Sequence, residues 1–142
     1  MEKRDFIKDE LERIGRAISQ LLANFLGLKT DGNIELGVEA TNKQLKDELD
    51  IDVELMLTLE QKQLAEYLEN RSLTTQHIET LIDYFFETGD SLKAINVNKA
   101  KNLLNKGLEM ADLLDKNSKT YSMERKEKEH QIRELVKTLP II

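Results

Sequence analysis

Apolar residues recur along the first part of the chain at alternating spacings of four and three. Ile7, Leu11, Ile14, Ile18, Leu21 and Phe25 make one stripe, which Leu22 and Leu26 widen. This is a heptad-type seam and predicts a helix over 3–26. Such a helix is about 35 Å long. Lys8, Glu12, Arg16 and Gln20 lie on its opposite face, and Gly27 stands where a C-terminal cap is expected. The turn signal Asp31-Gly32 follows. A sparser set, Ile34, Val38, Leu45 and Leu49, predicts a second helix over 34–49. Ile51, Val53, Leu55, Leu57 and Leu59 then alternate, which is the period of a strand. A lone strand has no sheet to join, so a short helical turn or a buried linker is expected there.

Thr58, with Gln61 three residues on, has the pattern of a capping box and opens a helix that reaches about Asn70. Thr74 or Thr75 caps the next one. Its apolar face is Ile78, Leu81, Ile82, Phe85 and Phe86, and Gly89 is its expected end. A long helix covers about 92–115, with Ile95, Val97, Ala100, Leu103, Leu104, Leu108, Ala111 and Leu114. Ser122 caps the last, which carries Met123, Ile132, Leu135, Val136 and Leu139 before Pro140 stops it. The pattern therefore predicts an all-α fold of five or six helices, with antiparallel neighbours joined by short turns. Residues 1–27 form an amphipathic helix suited to an oligomerisation arm, and residues 28–142 a helical domain.

Composition agrees with that class. Of 142 residues, 39 % are hydrophobic and 34 % charged, with 6 glycines and a single proline, a balance that favours helix. The absence of cysteine removes disulfides, zinc–thiolate sites, iron–sulfur clusters and thiol nucleophiles. The net charge of −6 opposes nonspecific nucleic-acid binding. The first fifteen residues lack the apolar core of a signal peptide. The segment AISQLLANFLGL is broken by Ser19, Gln20 and Asn24 and is too short to span a bilayer. KDEL at 46–49 is internal and therefore no retention signal. Asn70-Arg71-Ser72 has the glycosylation pattern, which matters only in a secreted chain. The expectation is a cytoplasmic protein that binds neither membrane nor nucleic acid.

Candidate chemistry is thin. His77 and His130 fall in separate helices, and His77 and Glu79 do not share a helical face, so an exposed helical histidine is expected at 77. Asp50, Asp52 and Glu54 start like a calcium loop. Leu55 and Gln61, however, replace the glycine and the bidentate glutamate that such a loop needs. Glu127-x-x-His130 occurs once, whereas di-iron bundles need the motif on paired helices. No phosphate loop, dinucleotide fingerprint or nucleophile elbow is present. No catalytic, metal or cofactor site is expected. The basic run Arg125-Lys126-Glu127-Lys128 lies between Glu124 and Glu129, and its i, i+4 pairs fit a solvated helix.

Residues 75–114 resemble a tetratricopeptide unit, a helix–turn–helix with large residues on its first helix and a small–large–small series on its second. Leu81, Phe85, Gly89 and Ala94 fall at the family's spacing, and Phe86-Glu87-Thr88-Gly89-Asp90 matches its turn signature. Beyond Ala94 the register meets Asn98 and Lys101. Ala100, Leu104 and Gly107 restore it about six residues late, so the match needs an insertion. The resemblance implies a groove lined by Gln76, Glu79, Asp83, Phe86 and Glu87. Known grooves that hold a terminal carboxylate use Lys and Asn; three carboxylates here would instead favour a basic peptide. Spaced at i, i+4, they also fit a solvated face. The whole chain resembles a small bacterial all-helical family: a long N-terminal helix, an acidic linker, then the hairpin and a Thr-Tyr-Ser-Met-Glu-Arg turn.

These features favour a non-catalytic protein-interaction module. Self-association through Ile7, Leu11, Ile14, Ile18, Leu21 and Phe25 would make it a homodimer. The alternative is a small-molecule binder or enzyme with a site between helices that the sequence does not mark. A weaker reading is acidic mimicry toward a nucleic-acid-binding partner.

Overall fold

The stripe on the first helix finds its partners inside the same chain. A computed structural model describes residues 3–28, 33–117 and 122–140, with the side chains of residues 3–8 and 28 set aside. Among the described residues the order is α1 (Lys3–Leu28), α2 (Ile34–Leu49), α3 (Val53–Met56), α4 (Gln61–Asn70), α5 (Thr75–Leu92), α6 (Val97–Asn117) and α7 (Met123–Thr138). The all-α class holds, with seven helices in place of the expected five or six. The addition is α3, the single turn that the alternating segment forms.

Helix α1 lies on α2 and α5, α5 lies along α6, and α7 packs on α6 and α5. From α1 the core takes Ile18, Leu21 and Phe25, with Ile14 packed at its margin. The ring of Phe25 meets Tyr84 edge-on, with centroids 6.0 Å apart, and Tyr84 meets Phe85 at 6.3 Å. These aromatic contacts join α1 to α5 at the centre of the fold. The Tyr84 hydroxyl donates to Asn42 Oδ1 at 2.6 Å, which ties α5 to α2. Burial raises the pKa of that phenol. Helix α1 thus packs on α2 and α5, and Ile18, Leu21 and Phe25 of its seam are buried within the chain.

Several boundaries follow the expected signals. Asn33 caps α2, accepting from the Leu36 N–H, and the helix ends where predicted, with Asp50 in the left-handed region at φ 55°. Thr74 caps α5 and Ser122 caps α7. Others move. Helix α1 runs through Gly27 to Leu28, while Asp31-Gly32 lies outside the described residues. The cap of α4 is Glu60, in a capping box with Gln63. Thr58 instead donates to the Leu55 carbonyl. From the alternating segment Ile51 and Val53 are buried and Met56 joins them, whereas Leu55 is exposed. Met123, placed on the apolar face of the last helix, is 77 % exposed.

The largest displacement concerns Gly89. It does not end α5, which continues to Leu92, and the turn falls at 93–96. Gly89 faces Ala100 and Leu104 of α6 at close range. A Cβ there would lie 2.8 Å from Leu104 Cγ and 3.3 Å from the Ala100 carbonyl oxygen. The late restart of the small–large–small register at Ala100, Leu104 and Gly107 has the same origin: α5 runs on past Gly89 before the chain turns, and α6 starts only at Val97.

Candidate interaction surface

The setting of α5 is fixed at its first turn. The Thr74 hydroxyl accepts from the His77 N–H at 3.2 Å, and His77 Nδ1 accepts from the Thr74 N–H at 3.1 Å. This is a reciprocal cap with histidine in the role usually taken by glutamate. Because Nδ1 accepts, the imidazole proton belongs on Nε2, which donates to the Leu11 carbonyl of α1 at 2.8 Å. Gly15 leaves room for the ring, since a Cβ there would lie 3.3 Å from it. His77 is therefore buried, which corrects the expectation of an exposed histidine. It anchors α1 to α5 beside an open groove of 620 Å³.

One turn further along, the acidic face of α5 meets α7. The Arg125 side chain, 4 % exposed, lies between α5 and α6. Its Nε donates to Asp115 Oδ1 at 2.7 Å, and its guanidinium lies 3.7 Å from Glu79 Oε1. Lys126 donates to the other Asp115 oxygen at 2.9 Å. Lys128 pairs with Asp83 at 3.5 Å, and its ammonium stands 4.5 Å from the Phe86 ring centroid, a cation–π contact. Glu79, Asp83 and Phe86 of α5 and Asp115 of α6 thus form an acidic cradle with one aromatic wall. A cleft of 220 Å³ remains beside Glu79, Asp83, Arg125 and Lys128. Further along α7, Ile132 enters the core over Gly107, where a Cβ would come within 3.5 Å of its Cδ1. Leu139 closes the helix end.

The carboxylates of this site have divergent acidities. Burial pushes Asp115 up, but hydrogen bonds from Arg125, Lys126 and Glu129 outweigh it and hold the group below its ordinary value. Glu129 is raised by burial first, then by its bond to Asp115 and the Asp115 charge. The two results describe one arrangement. Glu129 is 3 % exposed, and among the described residues its Oε2 is the one buried side-chain atom lacking a hydrogen-bond partner while both carboxylates are ionised. A proton on Glu129 supplies the missing bond to Asp115. Asp83 is also raised, chiefly by burial, against the opposing charge of Lys128.

Of the groove residues expected on α5, the structure brings Glu79, Asp83 and Phe86 together under α7. Glu87 is half-buried further along the helix. Gln76 lies apart, lining the groove between α1 and α5. Of the seam residues, Ile18, Leu21 and Phe25 are buried in the chain's own core and Ile14 packs against it. Leu11 lines the α1–α5 groove, and the side chain of Ile7 lies outside the described residues. Thr120 and Tyr121 of the C-terminal turn also lie outside them. The run 125–128, read as solvated, supplies the buried Arg125 and the half-buried Lys128. Two matching charge runs, acidic at 79, 83 and 87 and basic at 125, 126 and 128, were the signal that could have paired them.

No family model, no curated protein and no solved structure matches the chain. Among the described residues no helix is long and apolar enough to cross a membrane.

Proposed function

We propose that the protein is a non-catalytic interaction module of the cytoplasm whose docking surface is the acidic cradle on α5 and α6, and that its partners present basic helical segments. One observation carries this reading. The chain already seats the basic run of α7 there, through Arg125 on Asp115 and Glu79 and Lys128 on Asp83 and Phe86. This is the helix-in-groove mode, in which apolar anchors give affinity and charge gives register. A diverged tetratricopeptide-like hairpin agrees with it, because Glu79, Asp83 and Phe86 are groove positions in that resemblance. Self-association through the α1 seam is not part of the reading, since Ile18, Leu21 and Phe25 are already buried within the chain.

The test is selection of displayed random peptides on the immobilised full chain. Enrichment of amphipathic sequences rich in Lys and Arg, lost on the double variant Glu79→Lys, Asp83→Lys, is the expected result. Enrichment of neutral or acidic peptides, or equal retention by that variant, would overturn the reading.

A further inference from the structure

We infer that α7 is a resident competitor for this cradle, and that the partner segment is a basic helix built on the pattern of α7. The inference rests on the docking surface proposed above and adds its specificity and its regulation.

Helix α7 is attached differently from its neighbours. More than half of its residues are charged. Within the helix Ile132 is the buried apolar residue, whereas α5 buries Ile78, Leu81, Ile82, Tyr84, Phe85 and Leu92. Its contacts are chiefly with α6 and α5. Much of what holds it is ion pairing, and Lys126 is substantially exposed, so that part of the hold is weak and screened by salt. One position fits poorly: Glu129 puts a buried carboxylate beside the half-buried Asp115, with an oxygen that has no hydrogen bond, the Lys126 ammonium standing 3.5 Å from it. A buried acceptor left without a donor costs free energy.

These features define the partner. Its helix carries Arg-Lys-x-Lys on the turn that meets Asp115, Glu79 and Asp83. An apolar residue follows seven positions after the Arg, for the Ile132 site over Gly107, with further apolar residues where Leu135 and Val136 pack. The position corresponding to Glu129 is a neutral donor, which would satisfy Asp115 without adding charge. Such a helix outcompetes α7 while α7 keeps weaker ligands out.

The probe is a fluorescent peptide with the sequence of residues 122–140, made in parent form and with Glu129→Gln. It is titrated into the full wild-type chain and into the full chain carrying Lys126→Glu and Lys128→Glu. Those substitutions set the chain's own α7 against Asp115 and Asp83 and leave the cradle unchanged. The variant should bind the peptide at least about tenfold tighter than wild type, because apparent affinity scales with the fraction of open cradle. The Glu129→Gln peptide should bind tighter than its parent to both chains. Equal affinity of both chains overturns the competitor and leaves the docking surface standing, whereas no binding to either removes both. If the variant does not fold, hydrogen exchange on the wild-type chain decides. Saturating Glu129→Gln peptide should speed exchange in α7 and leave α5 protected; unchanged exchange in α7 would overturn the inference.

Discussion

The α5–α6 hairpin and helix α7 meet the same core by different means. Between α5 and α6 the contact is apolar and close, with Leu81, Phe85, Leu103 and Leu104 buried and the crossing at Gly89 too tight for a side chain. Helix α7 brings a buried Arg125, a buried Glu129 and the partly exposed Lys128, with Ile132 as its deepest apolar anchor. Apolar burial responds little to salt or pH in the physiological range. A cluster of charges responds to both. One molecule thus combines a hairpin that should open only with global unfolding and a helix that can open on its own.

The hairpin side of this contrast breaks most severely at Gly89. In Gly89→Ala the new methyl meets Leu104 Cγ at 2.8 Å, a branch point close to the backbone rather than a flexible tip. The helices must shift apart, at a cost of about 1–3 kcal/mol. Glycine to alanine within a helix normally gains stability by propensity, so the sign itself is informative. Urea unfolding followed by circular dichroism should show a lower midpoint for the whole domain. A midpoint equal to or above wild type would mean that the crossing is looser than described.

The α7 side breaks at Arg125. Arg125→Met keeps the length and apolar stem but removes the charge that holds Asp115 and Glu79 together. Losing one partner of a buried pair costs about 3–5 kcal/mol. Asp115 retains Lys126 and is 20 % exposed, so about 1–2 kcal/mol is expected. The comparison predicts where that loss appears. Exchange should quicken at α7 amides while those of α5 and α6 stay protected. Equal loss across all three helices would show that α7 is part of one cooperative unit with the hairpin.

What the sequence reveals of this contrast divides along the range of the interactions. The bounds of α2 and the caps Thr74 and Ser122 are local matters, set by residues three or four apart, and they read correctly. Gly89 reads as a turn because glycine commonly ends helices; its reason here is the approach of Leu104 across the hairpin, which no local pattern carries. His77 reads as exposed because its partners on α1 are distant: the Leu11 carbonyl that receives its proton is 66 positions away, and Gly15 opposite the ring has no marker. Thr58 and Glu60 compete for one cap, and Glu60 prevails with Gln63 in reciprocal register. The α7 contacts were the least legible. Their i, i+4 pairs describe a solvated helix as well as a docked one, and only the matching of acidic and basic runs across the hairpin separates the two.

The finest distinction between the regions is titration at Glu129. Its pKa in the folded chain lies above the ordinary 4.5. The stabilisation from its protonated form is therefore fully present below 4.5 and is lost as pH rises through the raised value. Asp115 has the opposite sign. Its pKa lies below 3.8, so its pairing with Arg125 and Lys126 is present above 3.8 and lost as pH falls through the lowered value. Helix α7 should then be best protected in the mildly acidic window between the two. As pH rises above the ordinary carboxylate range and through the raised Glu129 value, after correction for the intrinsic exchange rate, α7 amides should lose protection while α5 amides hold theirs. Glu129→Gln removes the upper limb of this profile. The carboxamide donates to Asp115 at every pH and carries no charge, so the variant should match wild type at the acidic end and exceed it at the alkaline end. Its advantage is smaller than either effect above, because Lys126 and Arg133 already offset part of the Glu129 charge. Parallel profiles for wild type and variant would show that Glu129 is ionised throughout, and that the Asp115–Glu129 proton does not hold α7 in place.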